Sequence, residues 1–183
     1  MTNMKLAVAL QLLLFVYHQI TTLFDLYPFN GARFSRLKER LAEAAFNGAL
    51  MIWAPIVYIF GWRGVMPYAA MYYFVLFVCV IATWFVPYFF GGSEKWTEIY
   101  SRVQGRTLLL LPPRGDHPNP NIEHLVLMVL TLITGLVTLG AYRRLPNATL
   151  NGWPIMLAVG AVMVGGIAAT HWRLPGRQAA KQS

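Results

Sequence analysis

Apolar stretches at about 4–24, 40–62, 65–89, 122–142 and 152–172 divide the chain, and each is close to the ~20 residues a helix needs to cross a bilayer. The pattern predicts an all-α fold. We expect a polytopic membrane helix bundle of five transmembrane helices, a single integral membrane domain over 1–183, with a short interfacial helix in the long third connection. Alternating the connections puts segments 25–39, 90–121 and 173–183 on one side, with the helix ends that border them. That side receives all seven acids, Asp25, Glu39, Glu43, Glu94, Glu98, Asp116 and Glu123, and all four histidines, His18, His117, His124 and His171. The other side keeps a short N-terminus, a turn at Arg63 and the link 143–151. Chemistry, if present, belongs to one face.

Polar residues inside the spans carry the next signal, because such a group is costly in lipid unless it faces protein or water. Gln11, His18, Thr22 and Asp25 fall in one stripe of the first span at 100° per residue. Arg36, Glu39, Arg40, Glu43 and Asn47 do the same in the second, with Asn47 on the order of 10 Å below Arg40. In the fourth, His124, Met128, Thr131, Gly135, Thr138 and Tyr142 align, with Asn121 near the top of that face. Helix packing is the competing explanation. We prefer it for Thr131, Gly135 and Thr138, which cannot titrate, and for Ala161, Gly165 and Ala169, which form a small-residue packing ridge in the fifth span. Arg36 and Arg40 are expected to pair with Glu39 and Glu43. Tyr73, Phe77, Trp84 and Tyr88 read as packing and interfacial-belt residues.

The 90–121 connection holds three signals. Ser93 can cap a helix whose Trp96, Ile99, Tyr100 and Val103 share one face, a pattern suited to the membrane interface. Leu108 to Leu111 is too short to span and stops at Pro112-Pro113, so it is expected to tuck back over the polar seams. Asn119 or Asn121 can cap the fourth span with Pro120 beside it, which places Glu123 and His124 at that helix's positive end.

Composition and charge sharpen the class and the topology. At 57% hydrophobic and 12% charged, the chain is too apolar for an ordinary soluble domain. Eleven of the fifteen lysines and arginines fall on the polar side, three of them being Arg173, Arg177 and Lys181. Basic excess marks cytoplasmic loops, so the expected orientation is N-terminus outside and C-terminus inside, in a bacterial inner membrane, with 90–121 cytoplasmic. The net charge of +8 then reflects topology and an anionic leaflet rather than nucleic-acid binding, for which no groove-entering element exists. Cys79 is the single cysteine and offers no disulfide or thiolate cluster.

These ends predict a pocket. Glu43, Glu123, His124 and His18 are the expected acid/base residues, acting on a lipophilic small molecule drawn from the inner leaflet. Asp25, Asn47, Trp96, Tyr100, Asn121 and Arg40 are the expected binding residues. A metal reading uses His18, His124 and His171, but no HExxH or comparable ligand spacing accompanies them. No pattern names a cofactor. An accessory or binding subunit is the main alternative, and the partners expected are membrane lipids, another copy of the chain, or a membrane partner protein. Transport fits less well, since the span number is odd and no internal repeat is visible. In its five spans, its inner-face site and Trp96-x-x-x-Tyr100, the chain resembles small membrane isomerases of the sterol type in architecture alone. That likeness implies an isomerase reaction and assigns no residue a role.

Overall fold

A computed structural model describes residues 2–172, so the basic residues at 173, 177 and 181 lie outside the described residues. Most of it is helical: α1 (Thr2–Leu23), α2 (Leu37–Ile59), α3 (Met66–Val80), α4 (Val86–Phe90), α5 (Glu94–Val103), α6 (Ile122–Arg143) and α7 (Trp153–His171). Among the described residues, five helices are long and apolar enough to cross a membrane, Asn3–Leu23, Leu37–Ile59, Met66–Phe90, Ile122–Arg143 and Trp153–His171. The chain is an integral multi-pass membrane protein of all-α architecture. Leu6, Leu13, Val16, Phe46, Ile133, Leu136 and Val162 face outward around the bundle, as a lipid-facing surface requires. Phe60, Trp62 and Trp153 are exposed at one end, and Phe24, Tyr27, Phe89 and Phe90 at the other, two aromatic belts of the kind that mark membrane–water boundaries.

Local chemistry sets the boundaries. Asn121 caps α6 through Oδ1, which accepts the His124 N–H at 3.1 Å, and Ser93 Oγ accepts the Trp96 N–H at 3.2 Å to start α5. At the head of α2, Glu39 accepts the Arg36 N–H at 3.2 Å. The third span is not a uniform α-helix. Pro87 has no N–H for the carbonyl of residue 83, and its ring crowds that carbonyl; the preceding turn, Ile81–Phe85, widens into a π-helix in which the Val86 N–H reaches Ile81 O. Widened turns of this kind re-aim side chains and occur often at functional sites.

α1 packs between α2 and α6, and α3 packs between α6 and α7, with a smaller α2–α3 contact. The core joins Leu14, Met51, Tyr58, Met66, Tyr73 and Tyr142. Deep in it, Gln11 Nε2 donates to Thr138 Oγ1 at 3.1 Å, and Tyr58 donates to Thr138 O at 3.1 Å. Thr131, Gly135 and Thr138 are buried against these neighbours, the helix-packing role expected of them, and Thr134, outside that seam, is buried as well. Tyr73 and Tyr88 are buried as well.

Three packing expectations fail. Ala161, Gly165 and Ala169 are exposed, and a Cβ built on Gly165 would meet nothing within 4 Å. α7 lies at the outside of the bundle on α3, where Gly160 approaches Val75 instead, so the small-residue ridge points away from the protein. Leu108 and Leu109 are 50% and 36% exposed; main-chain bonds from Leu108 N to Pro28 O and from Leu110 N to Pro120 O hold the segment rather than leucine burial. Nor does Arg40 pair with Glu43. Its Nη1 donates to Leu23 O at 2.8 Å, satisfying a carbonyl at the end of α1, while Glu39 lies 3.9 Å from Arg102.

The covering role falls to α5. Its Tyr100 and Val103 are buried, and it bridges α7 and the short helical turn Ala32–Phe34. Gly31 sets that seat: an added Cβ would lie 2.7 Å from Val103 O and 2.8 Å from Val103 Cγ1. Gly31→Ala should therefore displace α5, costing about 1–3 kcal/mol. Faster proteolysis between residues 91 and 107 would register the displacement, and parent-like protection would show that the seat has slack.

Candidate functional site

The polar seams meet in one cavity of about 760 Å³ beneath α5, within the size range of small-molecule sites. α1 contributes His18; α2 contributes Arg40, Glu43 and Asn47; α6 contributes Glu123 and His124; α5 contributes Trp96 and Tyr100; α7 contributes His171. Its wall below these groups is apolar, with Leu50, Met51, Leu76, Leu127, Met163 and Ile167. Nine of the residues singled out from the sequence thus share a single chamber. The 3.6-residue period explains this, since each stripe must turn from lipid toward its neighbours.

Two residues do not line it. Asp25 is exposed at the loop end, where Arg33 Nη2 stands 2.9 Å from Oδ2 and Nε donates to both carboxyl oxygens. The Arg33 hydrogen bonds hold the Asp25 carboxyl below its usual range. It sits past the end of α1, so its place in the stripe ends with the helix. Asn121 is fully buried behind the cavity. Its Nδ2 donates to Gln104 Oε1 at 2.9 Å and to Thr107 Oγ1 at 3.0 Å, while Oδ1 accepts from the His124 main chain and contacts the His124 ring at Nδ1. Asn121 therefore positions His124 rather than touching a ligand. Because that carbonyl oxygen only accepts, the neutral ring carries its proton on Nδ1 and keeps a lone pair on Nε2.

His18 is held in the opposite sense. Asn47 Nδ2 lies 3.3 Å from His18 Nε2, and an amide nitrogen only donates, so the ring proton sits on Nδ1. That Nδ1 is buried without a partner. Three more buried polar atoms on the same wall are also unpaired within the protein: Arg40 Nε, Trp96 Nε1 and Glu123 Oε2. Buried polar groups in folded proteins are overwhelmingly hydrogen-bonded. Among the described residues, the other unpaired buried atoms, Gln11 Oε1, Tyr73 Oη, Thr97 Oγ1 and Thr134 Oγ1, lie away from the chamber, so these four are the ones that a molecule held in it would lie beside. Tyr100 lies at the rim, where burial pushes its phenol up from the ordinary value, offset in part by hydrogen bonding to the Asn119 main chain.

Glu43 and His124, both expected acid/base residues, keep different company. Glu43 is open to the cavity and close enough to Glu123 for their charges to interact, as His18 is to His124. His124 stacks on Trp84, ring centroids 3.5 Å apart at 33°. Trp84 also lies 5.0 Å from Trp96, which lies 4.1 Å from His171. Trp84 thus belongs to the site and not only to a packing belt. The signal for it was Thr83-Trp84 ahead of Pro87, a polar residue and a helix breaker inside an apolar span. Cys79, silent in the sequence, lines the same wall.

The metal reading loses its geometry. Among the described residues, no group of three or more His, Cys, Asp or Glu side chains is placed to hold an ion. His18, His124 and His171 share the cavity, but their ring partners are Asn47, Asn121 and Thr170. No protein-family model matches the chain, and neither a curated protein nor a solved structure matches it. The site must be interpreted from its own chemistry.

Proposed function

We propose that the protein is a membrane enzyme that takes a lipophilic small molecule from the bilayer into this cavity and moves a proton on it. The observation that supports the reading is the pair of unpaired, buried groups His18 Nδ1 and Glu123 Oε2 on one wall, a hydrogen-bond donor to steady the substrate and a carboxyl oxygen to take its proton. Glu123 is the base of choice, with Glu43 near enough to exchange with it, while His18 and the Asn121-oriented His124 hold protons at defined ring nitrogens. An isomerisation, in which a proton leaves one carbon and returns at another, needs no more than these groups.

A substrate need not be known to test this. Membranes carrying the parent protein, incubated in deuterium oxide, should show one lipophilic species gaining deuterium at carbon. Glu123→Gln keeps the shape and removes the base, so that gain should vanish. Equal labelling in the parent and the variant would end the enzyme reading.

We further propose the orientation with the α5 end cytoplasmic, in a bacterial inner membrane, on the eleven-of-fifteen basic asymmetry. A cysteine placed at residue 147 should react with an impermeant reagent from outside, and a cytoplasmic reporter fused after Ser183 should be active. Reversed results at both positions would invert the site's side. The accessory-subunit reading draws on a different observation, the outward face of α7 with Ala161, Gly165 and Ala169 exposed, which would suit close approach of another membrane helix or a second copy.

A further inference from the structure

We infer that the lipophile carries an uncharged, flat head with a conjugated carbonyl, as in a quinone or an enone, and that its apolar tail leaves sideways between α2 and α7. This rests on the proposed site and adds the class of its substrate.

The hydrogen-bond inventory of the wall comes first. Its unpaired buried atoms are three N–H donors, His18 Nδ1, Arg40 Nε and Trp96 Nε1, against one acceptor, Glu123 Oε2. A head that satisfies them must be rich in acceptors. Charge then narrows the choice. The same wall carries Glu39, Glu43 and Glu123 against Arg40 and Arg102, with Arg40 already engaged by Leu23 O and Arg102 facing Glu39. A carboxylate or phosphate head would lie against three glutamates as well as the two arginines, and an ammonium head would leave the three donors unanswered. A carbonyl supplies acceptors without charge.

Shape supports a planar, conjugated group. Trp84 and Trp96 stand side by side on the wall, with His124 and His171 at either end of the row, which offers aromatic faces to a flat head. The tail's route follows from the packing. α2 packs on α1 and more lightly on α3, and α7 packs on α3, whereas α2 and α7 make no substantial contact with each other. α5 closes this gap only at the loop end. Below it the wall is Leu50 on one side and Met163 and Ile167 on the other, with Phe46 68% exposed toward the surroundings. An alkyl or prenyl chain in that gap would pass from the cavity into lipid without crossing a polar barrier.

Full-length protein in phosphatidylcholine nanodiscs, challenged in turn with a decyl benzoquinone, a steroid enone, palmitate and hexadecylamine, tests the assignment by native mass spectrometry. At least one carbonyl lipid should bind about tenfold more tightly than palmitate or the amine, the worth of a buried hydrogen bond. Which of the two binds identifies the source, and either supports the inference. Trp96→Phe keeps the ring and loses the N–H, so it should weaken the carbonyl lipid several-fold. Ile167→Trp should weaken the decyl quinone but not its tail-free analogue. Palmitate or hexadecylamine binding as tightly as both carbonyl lipids, or carbonyl binding indifferent to both variants, would overturn the inference and leave the enzyme reading standing. Binding of the carbonyl lipid without deuterium transfer would do the reverse, and failure of every lipid to bind would overturn the inference while the deuterium assay decides the enzyme reading.

Discussion

Replacing Asn121 with alanine is expected to lower stability by about 2–4 kcal/mol, among the largest effects of any single polar substitution in this protein. The side chain is wholly buried and holds three segments at once. It caps α6 at the His124 N–H, fixes the His124 ring, and ties down Gln104 and Thr107 from the turn that follows α5. Losing the cap alone costs about 0.5–2 kcal/mol, and each buried group left unpaired adds about 1–3 kcal/mol when it cannot reach water. Gln104 lines the cavity and can be rehydrated from it, which keeps the total toward the middle of that sum. Asn121→Asp is the informative companion. It retains the acceptor for the cap and the ring but loses the amide donors to Gln104 and Thr107, so it should recover part of the loss. Thermal unfolding in detergent would rank parent, Asn121→Asp and Asn121→Ala in that order. Alanine at parent stability would mean that the α5–α6 connection is held mainly by the main-chain pairing of Leu109 with Asn121.

How far the fold could be read from the chain follows from which forces act locally. Spans were legible because bilayer thickness and helical rise constrain them, and the stripes of His18, Glu43 and Asn47 were legible because a polar group in lipid has nowhere else to face. Their meeting in one cavity was a reasonable expectation from shared depth. Asp25 shows the limit of periodicity, since a stripe says nothing once its helix ends and Arg33 is close by. The π turn was not legible. It depends on how Pro87 is accommodated by neighbours, and it re-aims Trp84 away from the belt position its spacing implied. The small-residue ridge of α7 failed for another reason: spacing reports that a close approach is available, not which chain makes it.

Glu123→Met should make the protein more stable while removing the proposed proton transfer. Glu123 Oε2 is buried with no hydrogen-bond partner, and such an orphan costs about 1–3 kcal/mol. The opposing term is its place in the first turn of α6, where a carboxylate gains about 0.3–1 kcal/mol from the helix dipole. The change removes the carboxyl's contacts with Thr21 and Asn121, but neither neighbour is stranded: the single Thr21 hydroxyl proton goes to His18 O at 3.3 Å, and the Asn121 amide donates to Gln104 and Thr107. Methionine fills similar volume with a flexible apolar chain that can adapt to its neighbours. The expected balance is a gain of about 1–2 kcal/mol, read as a higher unfolding midpoint in detergent. A group retained against stability is retained for what it does, which is why functional sites concentrate such violations. If Glu123→Met unfolds more readily than the parent, the carboxyl is a structural anchor for the α1–α6 interface, and the proton-transfer role assigned to it falls.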